Sequence, residues 1–487
     1  MSSFLDTLSD SLLVRNSLFI DGKWIESSDK FSVYDPSTGM VIADVSCSTV
    51  DQVHMAVNSA SDAFVSWSNE TAVRRSQIMM DWCRLILENT DDLARIIVSE
   101  VGKTLNGAIG EVKYAASFVQ WFAEEAKRVY GDWIPSPQKD RRYLVIKQPL
   151  GVCAAITPFN FPAAMMTRKV APALCTGCTV VVKPAEKAPL STLALAYLAD
   201  KAGFPNGVIN VVMGDPSKIV DVLCSDDRVA HLSFTGSTAV GKMLMEKSAP
   251  TLKKVALELG GNASFIVLSD AVLKNSVDNL VEAKFRFAGQ TCIAPNRIYL
   301  QDSIYDSFLR MLMERLEAMV VAPGSDPGSE ICSMIDEVAV RKIEELIEDA
   351  CSKGAVVTKG GKRLPHIGPC FFEPTIIENA DTSMRIANEE IFGPVVVLYR
   401  FHEEEEVIEK SNSTNYGLVN YVCTNDISRF MMFAEKLESG MVIFNCGIYS
   451  NPYAPFGGIK SSGLGREGSK YGTDSYLNVK LVCVGDL

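Results

Sequence analysis

Between Gly151 and Val267 the chain alternates short apolar strands with helical stretches, a pattern that few folds can satisfy. Gly151 to Ile156, Thr179 to Val182, Val208 to Val212, His231 to Phe234 and Ser264 to Val267 read as strands, and the helices between them imply βαβ units around a parallel sheet. Ligands on such a sheet sit beyond the carboxyl ends of its strands. The residues just after each strand are therefore the first candidates for a site.

The flanking regions read differently. Leu18 to Val45 suggests short strands and turns, among them Asp21-Gly22 and Pro36 to Gly39. Val50 to Arg128 suggests amphipathic helices, with Tyr114, Phe118 and Phe122 at helical spacing and expected in the core. Tyr130 to Gln148 carries two prolines, the basic cluster Lys139, Arg141 and Arg142, and the strand Tyr143 to Ile146. It is expected to leave its domain as a hairpin whose basic cluster is a solvated face rather than a phosphate site. A second α/β unit runs from Val272 to about Tyr449, and Gly457 to Gly468 is a glycine-rich loop before a final strand. Glu403 to Glu406 fits the start of a solvated helix, where carboxylates suit the helix dipole.

At 487 residues the chain exceeds one compact core and is expected to form two or three domains. Its net charge of −12 argues against a general nucleic-acid surface, whereas a small anionic substrate would need only one or two arginines. No apolar run reaches the roughly 18 residues of a membrane span, so no membrane partner is expected. Met1 to Asp10 holds two aspartates and no basic residue, unlike a leader peptide; the cytoplasm is the expected location, with mitochondria left open. Thirteen scattered cysteines imply reduced thiols, and Cys175-Thr176-Gly177-Cys178 reads as core packing rather than a metal or redox pair.

Five segments can carry chemistry. Gly289-Gln290-Thr291-Cys292 places a thiol after a turn that brings backbone amides close, which helps to form a nucleophilic thiolate. Alone, such a cysteine reads more readily as a core thiol. In Leu257-Glu258-Leu259-Gly260-Gly261-Asn262 a carboxylate sits among apolar residues, where desolvation raises its pKa toward that of a general base. Taken singly it reads equally as a helix-end charge or an ion-pair partner. Thr157-Pro158-Phe159-Asn160-Phe161-Pro162 holds Asn160 between prolines, where its amide can donate to an oxyanion or simply serve the turn. In Val182-Lys183-Pro184-Ala185-Glu186 a lysine and a carboxylate can both reach ribose hydroxyls. A carboxylate there repels a 2′-phosphate and so favours NAD over NADP. Phe234 to Gly241 leads into a helix whose N-terminus suits a pyrophosphate, without matching G-x-G-x-x-G or the Walker pattern.

Together and in this order the five segments resemble the aldehyde dehydrogenase superfamily. The resemblance runs from Ile20-Asp21-Gly22-Lys23-Trp24 to Gly463-Leu464-Gly465-Arg466-Glu467, with Glu389 to Pro394 and Pro455 to Gly458 also in the family's order. It implies that Cys292 attacks an aldehyde, that Asn160 and the Cys292 N–H hold the oxyanion while hydride passes to nicotinamide, and that Glu258 activates the water that hydrolyses the thioester. It further implies Lys183 and Glu186 on the adenine ribose, Ser237 at the pyrophosphate, and Glu390 with Phe392 around the nicotinamide ribose. Thr157, Phe159, Ala185, Gly214, Phe234, Gly236, Val240 and Leu259 complete the implied cofactor site, and no metal is implied.

The likeness is greatest to the succinate-semialdehyde dehydrogenases, through Ala115 to Phe118, Trp121 to Arg128, Met166 to Lys169, Lys284 to Arg286 and Gly465 to Gly472. In that subfamily two arginines and a serine bind the substrate carboxylate, and the matching positions are Arg168, Arg286 and Ser450. Guanidinium forks suit carboxylates, although either arginine alone reads as a structural ion pair. Glutarate semialdehyde, methylmalonate semialdehyde or a broader range of aldehydes stays open. Phe159 replaces the usual tryptophan and keeps an aromatic wall. Ala294 stands where many members have a second cysteine, so a disulfide switch there is not expected, and Pro295 is unusual in the nucleophile's loop. A cysteine hydrolase is disfavoured because none of the histidines 54, 231, 366 and 402 lies in a motif. The implied architecture is α/β: a Rossmann-like cofactor domain (1–129 and 149–256), a catalytic domain (257–455) and a small β extension (130–148 and 466–487) that makes homodimers or homotetramers.

Overall fold

The computed structural model describes residues 4–486. The long helix α1 (Leu105–Glu125) is capped by Thr104, which accepts from the Gly107 N–H, and buries Val112, Phe118, Val119 and Phe122 on one face. Tyr114, expected in that core row, is only half-buried and turns toward a cavity instead. It is the one member of the row with a hydroxyl to satisfy.

After α1 come β1 (Val152–Ile156), α2 (Pro162–Thr176), β2 (Thr179–Lys183), β3 (Ile209–Val211), β4 (Val229–Thr235), α3 (Thr238–Ser248) and β5 (Lys254–Glu258). The strands run parallel in the order β3-β2-β1-β4-β5. β1 and β2 are buried along their whole length, which explains their unbroken apolar sequences. α2 starts with Pro162, where a missing N–H costs nothing, and stops at Gly177, whose φ of 95° makes a left-handed cap. The hairpin Leu18–Ile20 with Lys23–Ile25 extends one edge, turning at Asp21 and Gly22 with φ of 55° and 70°. Gly463–Leu464 closes the other edge against β5.

Ser264 to Val267 continues the alternation of the strands before it, although the implied domain division at 257 sets it apart from them. It lies in β6 (Ala263–Val267), part of a second sheet with β7 (Pro295–Gln301), β8 (Val395–Phe401) and β9 (Val419–Cys423). β6, β7, β8 and β9 are parallel too, and an apolar run carries no mark of which parallel sheet it joins. The chain crosses between the sheets at Leu259 to Asn262. Glycines are required there: a Cβ on Gly261 would stand 2.4 Å from the Cys292 carbonyl oxygen, and one on Gly260 2.9 Å from the Glu390 carboxylate.

The hairpin expected from Tyr130 is present as Asp132–Ile134 with Arg142–Pro149, joined by the C-terminal strand Leu477–Val484 into a separate antiparallel sheet. Glu403 and Glu406 cap the helix Glu404–Asn412 reciprocally. Among the described residues no helix is long and apolar enough to cross a membrane.

Candidate active site

A cavity of about 930 Å³ opens between the two sheets. From the first sheet come the residues that follow β1 (Thr157, Phe159, Asn160), end or follow β2 (Lys183, Ala185, Glu186), occupy the end of β4 (Phe234, Gly236, Ser237) and end β5 (Glu258, Leu259). From the second come Arg286 and Cys292, before β7, and Glu390 and Phe392, before β8; Arg168 of α2, Val240 of α3 and Ser450 complete the set. Gly214 is the exception. It lies in the turn after β3, where a Cβ would meet Cys47 at 3.1 Å, and Pro216 and Ser217 reach the cavity in its place.

Cys292 ends a strained approach. Phe287 and Ala288 have φ of 49° and 50°, followed by Gly289 at 77°. The left-handed region costs a non-glycine residue about 1–2 kcal/mol, so other bonds must hold the loop. Buried Gln290 does so. Its Nε2 donates to the carbonyls of Phe287 and Ser333, both at 3.3 Å, and its Oε1 accepts from the Ile335 N–H at 2.8 Å. Tyr421 donates to the Ile293 carbonyl at 2.9 Å. Pro295 opens β7, a place where a strand needs no N–H, and the β6–β7 register shifts beside it between Ala263 and Ser264. Ala294 is buried, and its N–H donates to the Thr291 carbonyl at 3.1 Å.

Burial pushes the Cys292 thiol up to about 12; Glu390 and Glu258 add to the shift, and Arg168 opposes it. The sulfur therefore rests as a thiol and needs a base. Glu258 lines the same cavity. Burial, reinforced by Glu467, holds its carboxyl well above the usual range against Arg168, Lys169 and Arg466, and its Oε2 has no hydrogen-bond partner. Asn160 is buried, and its Nδ2 donates to the Gln290 carbonyl at 2.9 Å. One amide hydrogen thus ties the β1 turn to the loop that carries Cys292, and the amide has a second hydrogen able to donate.

Arg168 is 2% exposed, lies over the Phe456 ring at 3.9 Å and has its Nε 2.9 Å from Glu467 Oε2, without hydrogen-bond alignment. Among the described residues its Nη2 has no hydrogen-bond partner. Glu467 also accepts from Lys169 Nζ at 2.6 Å. Half-buried Arg286 lies 4.9 Å from the Phe161 ring centre. The Ser450 hydroxyl is hydrogen-bonded to that of Tyr114. Sequence reasoning missed Glu467 and Tyr114 as wall residues. Glu467 stands in the motif-bearing C-terminal segment with no spacing to mark it, whereas the phenol of Tyr114 set it apart from its phenylalanine neighbours.

At the other end, Lys183 pairs with Glu186 and donates to the Pro184 carbonyl at 3.0 Å. Ser237 caps α3, whose N-terminus faces the cavity and offers N–H groups to an anion. A Cβ on Gly236 would stand 2.4 Å from the Phe234 ring, so the approach needs glycine. Burial pushes Glu390 up to about 7, and its Oε1 accepts from the Gly261 N–H at 3.0 Å. A ribose-reaching ion pair, a free helix N-terminus and a buried acceptor near the thiol fit a dinucleotide.

Residues 24–482 match the aldehyde dehydrogenase family. A mitochondrial succinate-semialdehyde dehydrogenase of Arabidopsis thaliana is 50% identical over 487 residues, covering 100% of this chain and 92% of that protein. A glutarate-semialdehyde dehydrogenase of Pseudomonas putida is 49% identical over 479 residues, covering 98% of this chain and 99% of its own. Among solved structures, an E. coli enzyme described as NADP-dependent is 48% identical, with a TM-score of 0.97 over 98% of this chain and 100% of its own.

Proposed function

Since this chain belongs to the aldehyde dehydrogenase family, whose members oxidise aldehydes with a nicotinamide cofactor, we propose that its substrate is succinate semialdehyde, its cofactor NAD and its nucleophile Cys292. Glu258 takes the thiol proton, and the sulfur adds to the aldehyde carbon. The Asn160 amide and the Cys292 N–H hold the resulting oxyanion. NAD held by Lys183, Glu186, Ser237 and Glu390 would supply a hydride acceptor; loss of hydride from the carbon bonded to sulfur, as the oxyanion re-forms its carbonyl, leaves a thioester on Cys292. Glu258, its proton passed to solvent, then deprotonates a water that attacks the acyl carbon; succinate departs and the thiol is restored.

The observation that carries the substrate reading is Arg168, buried in the cavity wall with Nη2 unpartnered. A buried guanidinium nitrogen without an acceptor is costly, and a substrate carboxylate would satisfy it, with Arg286 and Ser450 in the same wall. Glutarate semialdehyde is the second reading, favoured by the Pseudomonas putida relative. One methylene in a pocket is worth only about 10–200-fold, so the two must be compared directly. Kinetics should be run on succinate, glutarate and methylmalonate semialdehydes and butanal, with wild type and Arg286→Ala. Succinate semialdehyde should have the highest kcat/KM, and Arg286→Ala should cut its advantage over butanal about tenfold to a hundredfold. An unchanged ratio would sink the assignment.

Glu186 beside Lys183 supports NAD, although the E. coli relative is described as NADP-dependent. The antiparallel sheet formed by 130–148 and the C-terminal strand exposes Trp133, Val479 and Leu481, which supports its reading as the extension that makes a homodimer or homotetramer. The proposed division is a cofactor domain (1–129 and 149–256), a catalytic domain (257–455) and the extension (130–148 and 466–487), and the cytoplasm is the proposed location.

A further inference from the structure

Lys103 and Glu111 are buried charges that the chemistry above leaves unused, each 2% exposed. They form an ion pair with each other. The Lys103 ammonium also donates to the Asn160 carbonyl at 2.8 Å and lies 3.6 Å from the ring centre of Phe161 and 4.5 Å from that of Phe287. The other Glu111 oxygen accepts from the N–H groups of Ala163 at 3.0 Å and Ala164 at 3.3 Å, in the first turn of α2. One ion pair therefore grips the Asn160 turn twice: the cation holds its carbonyl, and the carboxylate holds the helix N-terminus that follows. The same cation leans on Phe287, in the strained approach to Cys292.

Stability alone does not account for this arrangement. Replacing a buried ion pair by well-packed apolar residues is often neutral or stabilising. What an apolar pair could not do is fix a carbonyl and two helix N–H groups of one turn together. We propose that Lys103 and Glu111 are positioning residues for the oxyanion site, setting Asn160 against Cys292; this rests on the reading of Asn160 as the oxyanion donor. Asn160 Nδ2 already bonds the Gln290 carbonyl, so a shift of its backbone would move both the donor and the nucleophile's loop.

The test is Lys103→Met and Lys103→Met/Glu111→Gln, each in the wild-type and Asn160→Ala backgrounds, read by kcat, aldehyde KM and NAD affinity from a fluorescence titration. The double variant leaves no unpaired buried charge and keeps an acceptor for the α2 N–H groups. Both should lower kcat about tenfold to a hundredfold, as expected of a misplaced catalytic group, with KM and NAD affinity within about twofold. On Asn160→Ala the further loss should be under about threefold, because the route of action is gone. If Asn160→Ala itself proves harmless, the reading of Asn160 fails. If Asn160→Ala is slow but the lysine variants keep kcat within about twofold, or lose equally in both backgrounds, the positioning role is overturned. Loss of NAD affinity in both lysine variants would overturn it as well, by showing the pair to be purely structural.

Discussion

The two sheets build the cavity from opposite ends of their strands. The first contributes residues that lie at or just past the ends of β1, β2, β4 and β5, on regular geometry that parallel sheets present generally. The second contributes residues that precede β7 and β8, on loops with left-handed backbone at Phe287, Ala288 and Phe392. The residues implied for the cofactor thus stand mainly on unstrained strand ends, while Cys292 sits on the side whose conformation must be held by its neighbours. Strain persists where the surroundings over-determine it, and the bonds of Gln290 are what do so here.

The difference can be broken by substitution, starting with the chemistry of the strained side. Cys292→Ala should lower NADH formation from every aldehyde by at least about 10³-fold; appreciable residual turnover would remove it as nucleophile. Glu258→Gln, on the regular side, should lower steady-state kcat about 10²- to 10⁴-fold. Because the Glu258 pKa is raised, its basic form grows as pH rises; wild-type kcat should climb with pH through that range, and the variant's should not. A pH profile of the same shape in both would assign the base elsewhere.

Glu186→Ser probes the cofactor end alone. Its side chain is 40% exposed and solvent screens it, so the NADP to NAD ratio of kcat/KM should rise only about tenfold, with the aldehyde preference untouched. The last comparison concerns the strain itself and is read in stability rather than in turnover. Gly289→Ala should cost more than about 2 kcal/mol, since its φ is 77° and a Cβ would stand 2.2 Å from the Gly393 carbonyl oxygen. Ala288→Gly should stay within about 1 kcal/mol of wild type, relief of the left-handed alanine offsetting the entropy that glycine adds to the unfolded chain. Denaturant midpoints compare the two. Equal losses would mean that the loop is not strained.

Much of this site was legible in the linear chain, for reasons that differ by residue. Asn160, Glu186 and Ser237 stand at or beyond the ends of apolar strands, which made them candidates, and the resemblance implied their roles. Cys292 and Glu258 were legible through their motifs, though neither motif separates a core thiol or an ion-pair carboxylate from a reacting one. Gly214 shows the limit: the resemblance implied it at the cofactor, yet its neighbour is Cys47. Tyr114 was hidden by a periodicity that also fits core packing.

By itself the sequence determined the alternation of strands and helices and the residue types able to act as nucleophile, base and oxyanion donor. These follow from local sterics and intrinsic chemistry, which neighbours in the chain suffice to set. Only the tertiary structure decided that Gly260 and Gly261 must pass closely by Glu390 and Cys292, that Arg168 faces Glu467, and that Lys103 and Glu111 clasp the Asn160 turn. Each of those depends on groups brought together from distant parts of the chain, and the cost of burying charge, which makes such partners necessary, is felt only once the chain has closed around them.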